Sequence, residues 1–412
     1  MLRHFILLIF LSMPLRAQVD GWDLPPVNYS ETAAEDRLAR LAEKWSQNPG
    51  SVAGHTPLER VRGILAALQV PEASQVLVFS KTSKQNGLIR PDSPRALYFS
   101  RDVYCGYVPG GVMEVVIQDA RLGPVFYHID LGDATRPLRV ERDTNDCLSC
   151  HASGRTEHVP GVLVRSVFPD ANGQPILSMG TTLVTHQTPV DERWGGYYVT
   201  GSISLPHLGN QTYSDGSEAK PQIQTLNDLS GRFGTHKYPR STSDIVALMV
   251  LEHQCQAHNL LTAASMNYRR AYYLGKAIHP NGDPDEGTAG RIADQAAQEI
   301  VSWFLYSGEA GQGPDGVEGN EEFQEQFEAG VPHTVAGDSL ADFQLNGRLF
   351  KNRCSYMIYS DAFCQLPEAV KNRVIARLRN VLESPTTDDA YPHMKLPERR
   401  RIVEILDETG VW

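Results

Sequence analysis

The sequence lacks any apolar run long enough to cross a bilayer. A spanning helix needs about 20 such residues; the run Phe5 to Met13 is much shorter, and no other segment approaches that length. Positive charge is also in short supply, 38 Lys and Arg against 49 Asp and Glu, for a formal charge of −11. An acidic chain disfavours nucleic acid and anionic membrane surfaces as partners and allows steering toward a basic patch on another protein. There is no Gly-x-Ser-x-Gly elbow, phosphate-binding glycine loop, His-Glu-x-x-His zinc helix or internal repeat. Asn281 to Glu286 begins like a calcium loop, but Glu286 stands where glycine is needed and Ile292 where the final glutamate belongs. A helix-capping turn is the better reading there.

What the chain does have is ordinary globular composition, 41% hydrophobic and 21% charged, enough for two or three domains with a sizeable core. It opens with Met1-Leu2-Arg3-His4, the apolar run to Met13 and then Pro14-Leu15-Arg16-Ala17: the charged head, short greasy middle and small terminal residue of a secretory signal. Cleavage is expected after Ala17. No cysteine lies beside that point to take a lipid anchor, so the expected destination is the periplasm or the exterior. Losing residues 1–17 removes Arg3 and Arg16 and no acid, so −11 becomes −13. Acidity concentrates at 283–342, where fourteen Asp or Glu accompany one basic residue, Arg291. A solvated acidic face is the plainer explanation and a docking surface the alternative.

The most informative stretch is Cys147-Leu148-Ser149-Cys150-His151. Scattering 6 cysteines and 13 histidines at random over 412 residues yields that pattern roughly 0.003 times. Two thiols three positions apart can add to the two vinyl groups on one porphyrin edge, and the adjacent histidine then lies under the ring as axial ligand. The motif predicts one covalent haem c, held by Cys147 and Cys150 with His151 on the iron. A disulfide or thioredoxin-like Cys-x-x-Cys followed by a chance histidine is the competing reading. Zinc is disfavoured because no second Cys or Cys/His pair stands at ligand spacing. Covalent haem attachment takes place outside the bacterial cytoplasm, so motif and signal support one another.

Periodicity places the motif in mixed surroundings. Helices are expected at Glu31 to Trp45 and, capped by Thr56 with Pro57 first in the helix, on through Leu68. Strand-like runs follow at Val76 to Phe79, Ala96 to Phe99, Val112 to Ile117 and Pro124 to Ile129. After the motif come a hairpin of Val162 to Phe168 and Gln174 to Val184 and a strand at Gly196 to Gly201. Beyond the Gly/Ser/Asn/Asp-rich loop 206–240 the pattern turns helical, at Asp244-capped Ile245 to Tyr273, 289–306, Phe343 to Tyr359, Pro367 to Leu382 and Leu396 to Glu408, with a flexible loop at Gly308 to Gly319. The expected fold is α+β. Residues 1–17 form the signal, 18–72 N-terminal helices, 73–210 a mixed α/β haem domain, 211–240 a linker loop and 241–412 an α-helical domain.

Ser74 to Ser83, Arg95 to Phe99, the motif with Pro160 to Pro169, Arg193 to Gly201, Leu251 to Gln254, His258-Asn259 and Cys354 to Tyr356 resemble the corresponding segments of a family of uncharacterised secreted bacterial cytochrome c domain-containing proteins. The resemblance covers nearly all of the chain after the signal and implies one covalent haem, with no assigned reaction. The run Arg165 to Pro169 is also similar to haem-binding sensor domains of the PAS-like kind, which would make the haem domain PAS-like.

The second axial position decides between electron transfer, gas binding and catalysis. Candidates are Met179, whose thioether would raise the potential, the loop histidines His186 and His207, and His253 or His258. The last two are five apart on one helix, about 140° around its axis, and cannot readily hold one metal together. Each has a plainer alternative: a core methionine, solvent-facing loop histidines and, for Glu252, His253, His258 and Asn259, satisfied polar groups bridging two domains. Lys81, Arg95, Arg101, Arg165 and Arg193 are candidates to neutralise haem propionates, or surface charges. Cys105, Cys255, Cys354 and Cys364 are expected as buried free thiols; pairing Cys354 with Cys364 would need a helix break near Asp361.

Three functions remain in play: a periplasmic monohaem cytochrome serving a redox partner protein, a peroxidase-like oxidoreductase using a distal imidazole as acid or base, and a haem sensor or interaction module. The chain far exceeds the roughly 100 residues a simple carrier needs, yet no distal Arg/His pair or output domain is recognisable. Replacing Cys147 and Cys150 by Ala is expected to abolish covalent haem, read as loss of haem staining on a denaturing gel.

Overall fold

A computed structural model describes residues 21–48, 52, 54–132, 138–216, 218–386 and 388–412. The expected signal and its cleavage point at Ala17 lie outside the described residues. The fold is α+β. Helix α1 (Arg37–Gln47) starts where the Asp36 side chain accepts from the Ala39 N–H, and α2 (Pro57–Ala67) starts at a reciprocal capping box between Thr56 and Glu59.

There follows an antiparallel meander: β1 (Val76–Val78), β2 (Arg95–Phe99), β3 (Val103–Tyr107), β4 (Met113–Asp119), β5 (Gly123–Asp130) and β6 (Arg139–Asp143). One-turn helix α3 (Leu148–His151) carries the cysteine motif. The hairpin β7 (Val164–Val167) and β8 (Thr181–Val184) comes next. Strand β9 (Tyr197–Tyr198) then returns beside β1 to complete the order β6-β5-β4-β3-β2-β1-β9. Strand β10 (Ser202–Ile203) leads toward the long helix α4 (Ile245–Ile278). Helix α5 (Thr288–Phe304), strand β11 (Val317–Glu318) paired to β10, α6 (Glu321–Ala329), α7 (Asp361–Cys364), α8 (Glu368–Leu382) and α9 (Leu396–Glu408) finish the chain.

Period-two alternation gives the large sheet two different faces. Tyr98, Cys105, Met113, Val115, Val125 and Ile129 are buried in a cluster with Leu38, Trp45, Val61 and Ile64 of α1 and α2. The opposite face presents Arg95, Tyr104, Glu114, Phe126 and His128, and is covered by α4 and the cysteine segment.

The first half of α4, from Ile245 to Ala257, is buried almost all round, and a single apolar cluster joins it to β1, β7, β9 and the C-terminal helices. That core crosses the boundary expected at 211–240, so the strands and the helical part share one interior. The 211–240 segment itself bonds back onto β10 and its neighbours through Gly201–Leu226 and His207–Gln222 bridges.

Some elements differ from expectation. A helix over Phe343 to Tyr359 does not form: Leu345 and Gly347 have φ of 52° and 74°, and Phe343 instead bridges Phe350. Only a short 3₁₀ turn, Tyr356–Tyr359, remains. Strand β6 is too polar to show alternation, and α6 lies hidden in the acidic 283–342 stretch. The Asn281 to Glu286 segment is a capping turn, with the Asp283 side chain accepting from the Asp285 N–H.

Helix α4 is tied to the loop before β9 by a buried ion pair. Arg193 Nη1 lies 2.7 Å from Glu252 Oε2 with both side chains essentially inaccessible, and Trp194 Nε1 donates to Glu252 Oε1 at 2.6 Å. Arg193→Met, which strands the Glu252 carboxyl in the core, is expected to lower the unfolding free energy by about 3–5 kcal/mol in denaturant titrations, and adding Glu252→Leu should recover much of that loss.

Candidate cofactor site

Strand β6 delivers the chain to the motif, where Asp143 Oδ1 accepts from the N–H groups of Asn145 and Cys147 and so starts the turn of α3. Leu148 is buried and anchors that turn, leaving Cys147 half-buried and Cys150 exposed. Both sulfurs are free thiols.

His151 ends the turn with its ring 5.2 Å from that of Phe126. Its Nδ1 lies 2.9 Å from the Gly161 carbonyl, and the Gly161 N–H returns a 2.8 Å bond to the His151 carbonyl, closing the loop between them. A carbonyl can only accept, so Nδ1 carries the proton and Nε2 holds the lone pair. Among the described residues Nε2 makes no hydrogen bond. Burial holds the imidazole below its ordinary pKa, hence neutral. A ligating histidine characteristically donates its other N–H to a carbonyl, and this one is set up to do so.

Around it lie several charged groups. Cys147 Sγ is 3.6 Å from His128 Nε2, and His128 Nδ1 is 3.7 Å from Asp143 Oδ2. These three could crowd one metal ion. Burial, reinforced by the negative charges of Asp143 and Glu114, pushes the Cys147 thiol up to about 12, which makes it neither a ready thiolate ligand nor an activated nucleophile.

The five basic candidates separate clearly. Arg193 belongs to the core pair with Glu252, Arg101 leans on Asp102, and Lys81 follows β1 with its N–H on the Gly173 carbonyl. Arg95 pairs with Glu114 and lies flat on Gly106, where a side chain would collide with it; its Nε is buried without a partner. Arg165 is half-buried, also has a buried Nε without a partner, and forms no ion pair among the described residues. Desolvation and then Arg155 lower its pKa, while Tyr197 and Cys150 stabilise its charge.

The candidates for the second axial position lie elsewhere. His186 and His253, 67 residues apart, meet in the core with their Nδ1 atoms 2.8 Å apart; His186 stacks on Trp303 at 3.9 Å, and His253 Nε2 lies 2.6 Å from Ser355 Oγ. Burial depresses both, His186 to about 3. His207 is packed against Trp194 and accepts from the Gly209 N–H, with its pKa held down to about 4 by burial. The expectation that His186 and His207 face solvent is therefore corrected: they are 3% and 1% exposed. His258 Nδ1 meets the Tyr104 hydroxyl at 2.6 Å. Met179 lies on a partly exposed 3₁₀ turn, Leu177–Met179, not in a strand. Among the described residues none of the five touches the Cys147 to His151 segment by hydrogen bond or ring contact.

The polar cluster on α4 acts as a set of struts: Glu252 to Arg193 and Trp194, His253 to Ser355, His258 to Tyr104, and Asn259 to both main-chain groups of Val162. Cys105, Cys255 and Cys354 are buried free thiols as expected; Cys364 is free but exposed. A cavity of about 1050 Å³ lies between α4 and α5; Glu157 lines it, and no residue of Cys147 to His151 does. Comparison with known proteins found no matching family model, no matching curated protein and no matching solved structure.

The buried histidines make stability acid-sensitive. Their folded pKa values lie below the unfolded value of 6.5, so the unfolded chain takes up protons first as pH falls below that value. His207 alone should remove about 3 kcal/mol between pH 6.5 and 4 at 1.36 kcal/mol per pH unit. Thermal melts of the wild type should fall steeply across that window, and those of His207→Gln less steeply.

Proposed function

We propose that the protein is a periplasmic monohaem c-type cytochrome that exchanges electrons with a redox partner protein. The observation that carries this reading is His151 itself, with Nδ1–H bonded to the Gly161 carbonyl and Nε2 left as a free lone pair within a Cys-x-x-Cys-His turn. When bound, haem c supplies a one-electron iron couple. Cys147 and Cys150 would hold the macrocycle through thioethers, His151 Nε2 would ligate the iron, and Phe126 keeps the imidazole face packed. Arg165, which has a buried Nε without a partner and no ion pair among the described residues, would receive a propionate.

Two further points favour electron transfer over catalysis. The imidazoles that could serve as distal acid or base are buried and make no hydrogen bond or ring contact with Cys147 to His151 among the described residues: His253 is held at both nitrogens, and His186 and His258 at Nδ1, with Nε2 left without a hydrogen-bond partner. The formal charge of −11 suits recognition of a basic patch on a partner protein.

The decisive measurement is the visible spectrum of the purified holoprotein, oxidised and reduced, with and without carbon monoxide. A six-coordinate low-spin iron indifferent to carbon monoxide is expected. A high-spin iron that binds carbon monoxide readily would overturn the electron-transfer assignment in favour of catalysis or gas binding.

A further inference from the structure

We propose that Asn259 is a positioning residue for the haem iron, orienting the axial histidine from the buried face of α4 through a single peptide plane. This rests on the cytochrome reading and deepens it.

Asn259 is 1% exposed. Its Oδ1 accepts from the Val162 N–H at 2.9 Å, and its Nδ2 donates to the Val162 carbonyl at 2.8 Å. The carboxamide thus pairs with one residue's main chain as a neighbouring strand would. The Val162 N–H belongs to the same rigid amide as the Gly161 carbonyl, which receives His151 Nδ1–H at 2.9 Å. Asn259 grips one edge of that plane and His151 hangs from the other, so the plane cannot rotate without disturbing both. A Cβ on Gly161 would run into Asn259 Oδ1, so only glycine lets the side chain approach this closely. The far side of the loop is pinned by Thr156 Oγ1, which donates to the Val159 carbonyl at 2.9 Å.

The chemical consequence follows from polarisation along the chain. Asn259 Oδ1 withdraws on the Val162 N–H, which makes the Gly161 carbonyl a stronger acceptor and the Nδ1–H bond tighter. A tighter bond makes the imidazole a better electron donor and favours ferric iron. A sequence-distant helix therefore tunes the potential of an iron it does not ligate. The asparagine carboxamide offers an acceptor and a donor on two separate atoms spaced to meet both main-chain groups of one residue; leucine, with the same branching, offers neither.

The test uses the full-length holoprotein. Haem staining of the denatured wild type is read first, and absence of covalent haem would overturn the cytochrome reading itself. With haem present, the reduction potential of Asn259→Ala is measured beside the wild type. It is expected to rise by roughly a tenfold change in the ferric-to-ferrous equilibrium, about 59 mV for one electron, within the range typical of outer-shell partners. The low-spin spectrum and covalent attachment should persist. A folded, haem-bearing Asn259→Ala whose potential matches the wild type would overturn the proposal while leaving the cytochrome reading intact. If Asn259→Ala does not fold, Asn259→Leu, which keeps the branching of the side chain without its polar atoms, is read in its place for the same upward shift. In haem-free protein the ¹⁵N shifts of the His151 ring should report the Nδ1–H tautomer in the wild type and a mixture in the variant; an unchanged tautomer would count against the proposal.

Discussion

The structure depends on polar groups fixed along a helix that solvent does not reach. Glu252, His253, Gln254, His258 and Asn259 are all buried on α4, a placement that costs several kcal/mol for any one of them left without a partner. Together they find partners on four other segments: the 186–194 loop, Ser355 and Tyr356 of the C-terminal part, Ser100 and Tyr104 at the sheet, and Val162 after the Cys147 to His151 turn. Apolar contacts alone would tolerate sliding between these layers. A row of directional bonds whose loss is expensive permits one register of α4 against everything it touches.

Seen from that helix, the Cys147 to His151 turn is a peripheral feature held from two sides. The sheet supplies Phe126, His128 and the Arg95–Glu114 pair below it, and α4 supplies Asn259 behind it. The sulfur of Cys150 stays at the surface, and that of Cys147 is half-buried beside His128. The more deeply set His186 and His253 pair, stacked on Trp303 and Tyr306, has the geometry of a core element whose protonation is suppressed by burial.

Much of the fold was readable in advance because it rests on local chemistry. Thr56-Pro57 announced α2, Asp244 announced α4, and Leu396 to Glu408 was bounded as the structure has it. Strands β4 and β5 showed as short strand-like apolar runs, whereas β6, reading Arg-Val-Glu-Arg-Asp, did not, since it is only partly buried. The expected helix at Phe343 to Tyr359 failed for a reason periodicity does not register: left-handed backbone at Leu345 and Gly347 turns the chain back on itself. Loop histidines were expected in solvent on composition, and His186 and His207 are buried because partners distant in sequence, Trp303 and Trp194 with the α4 struts, close over them.

The sequence by itself determined the Cys-x-x-Cys-His motif, because thiol, thiol and imidazole at that spacing is a statement about one turn of chain. It also determined the acidic balance and the principal helices, each set by residues within reach of one another along the backbone. Only the tertiary structure decided which nitrogen of His151 is free, that Arg165 is half-buried with no ion pair among the described residues, and that Asn259 stands behind the imidazole's acceptor. The last of these joins residues 97 positions apart, and it arises from the shape-matching and hydrogen-bond satisfaction of a shared core, which no local pattern encodes.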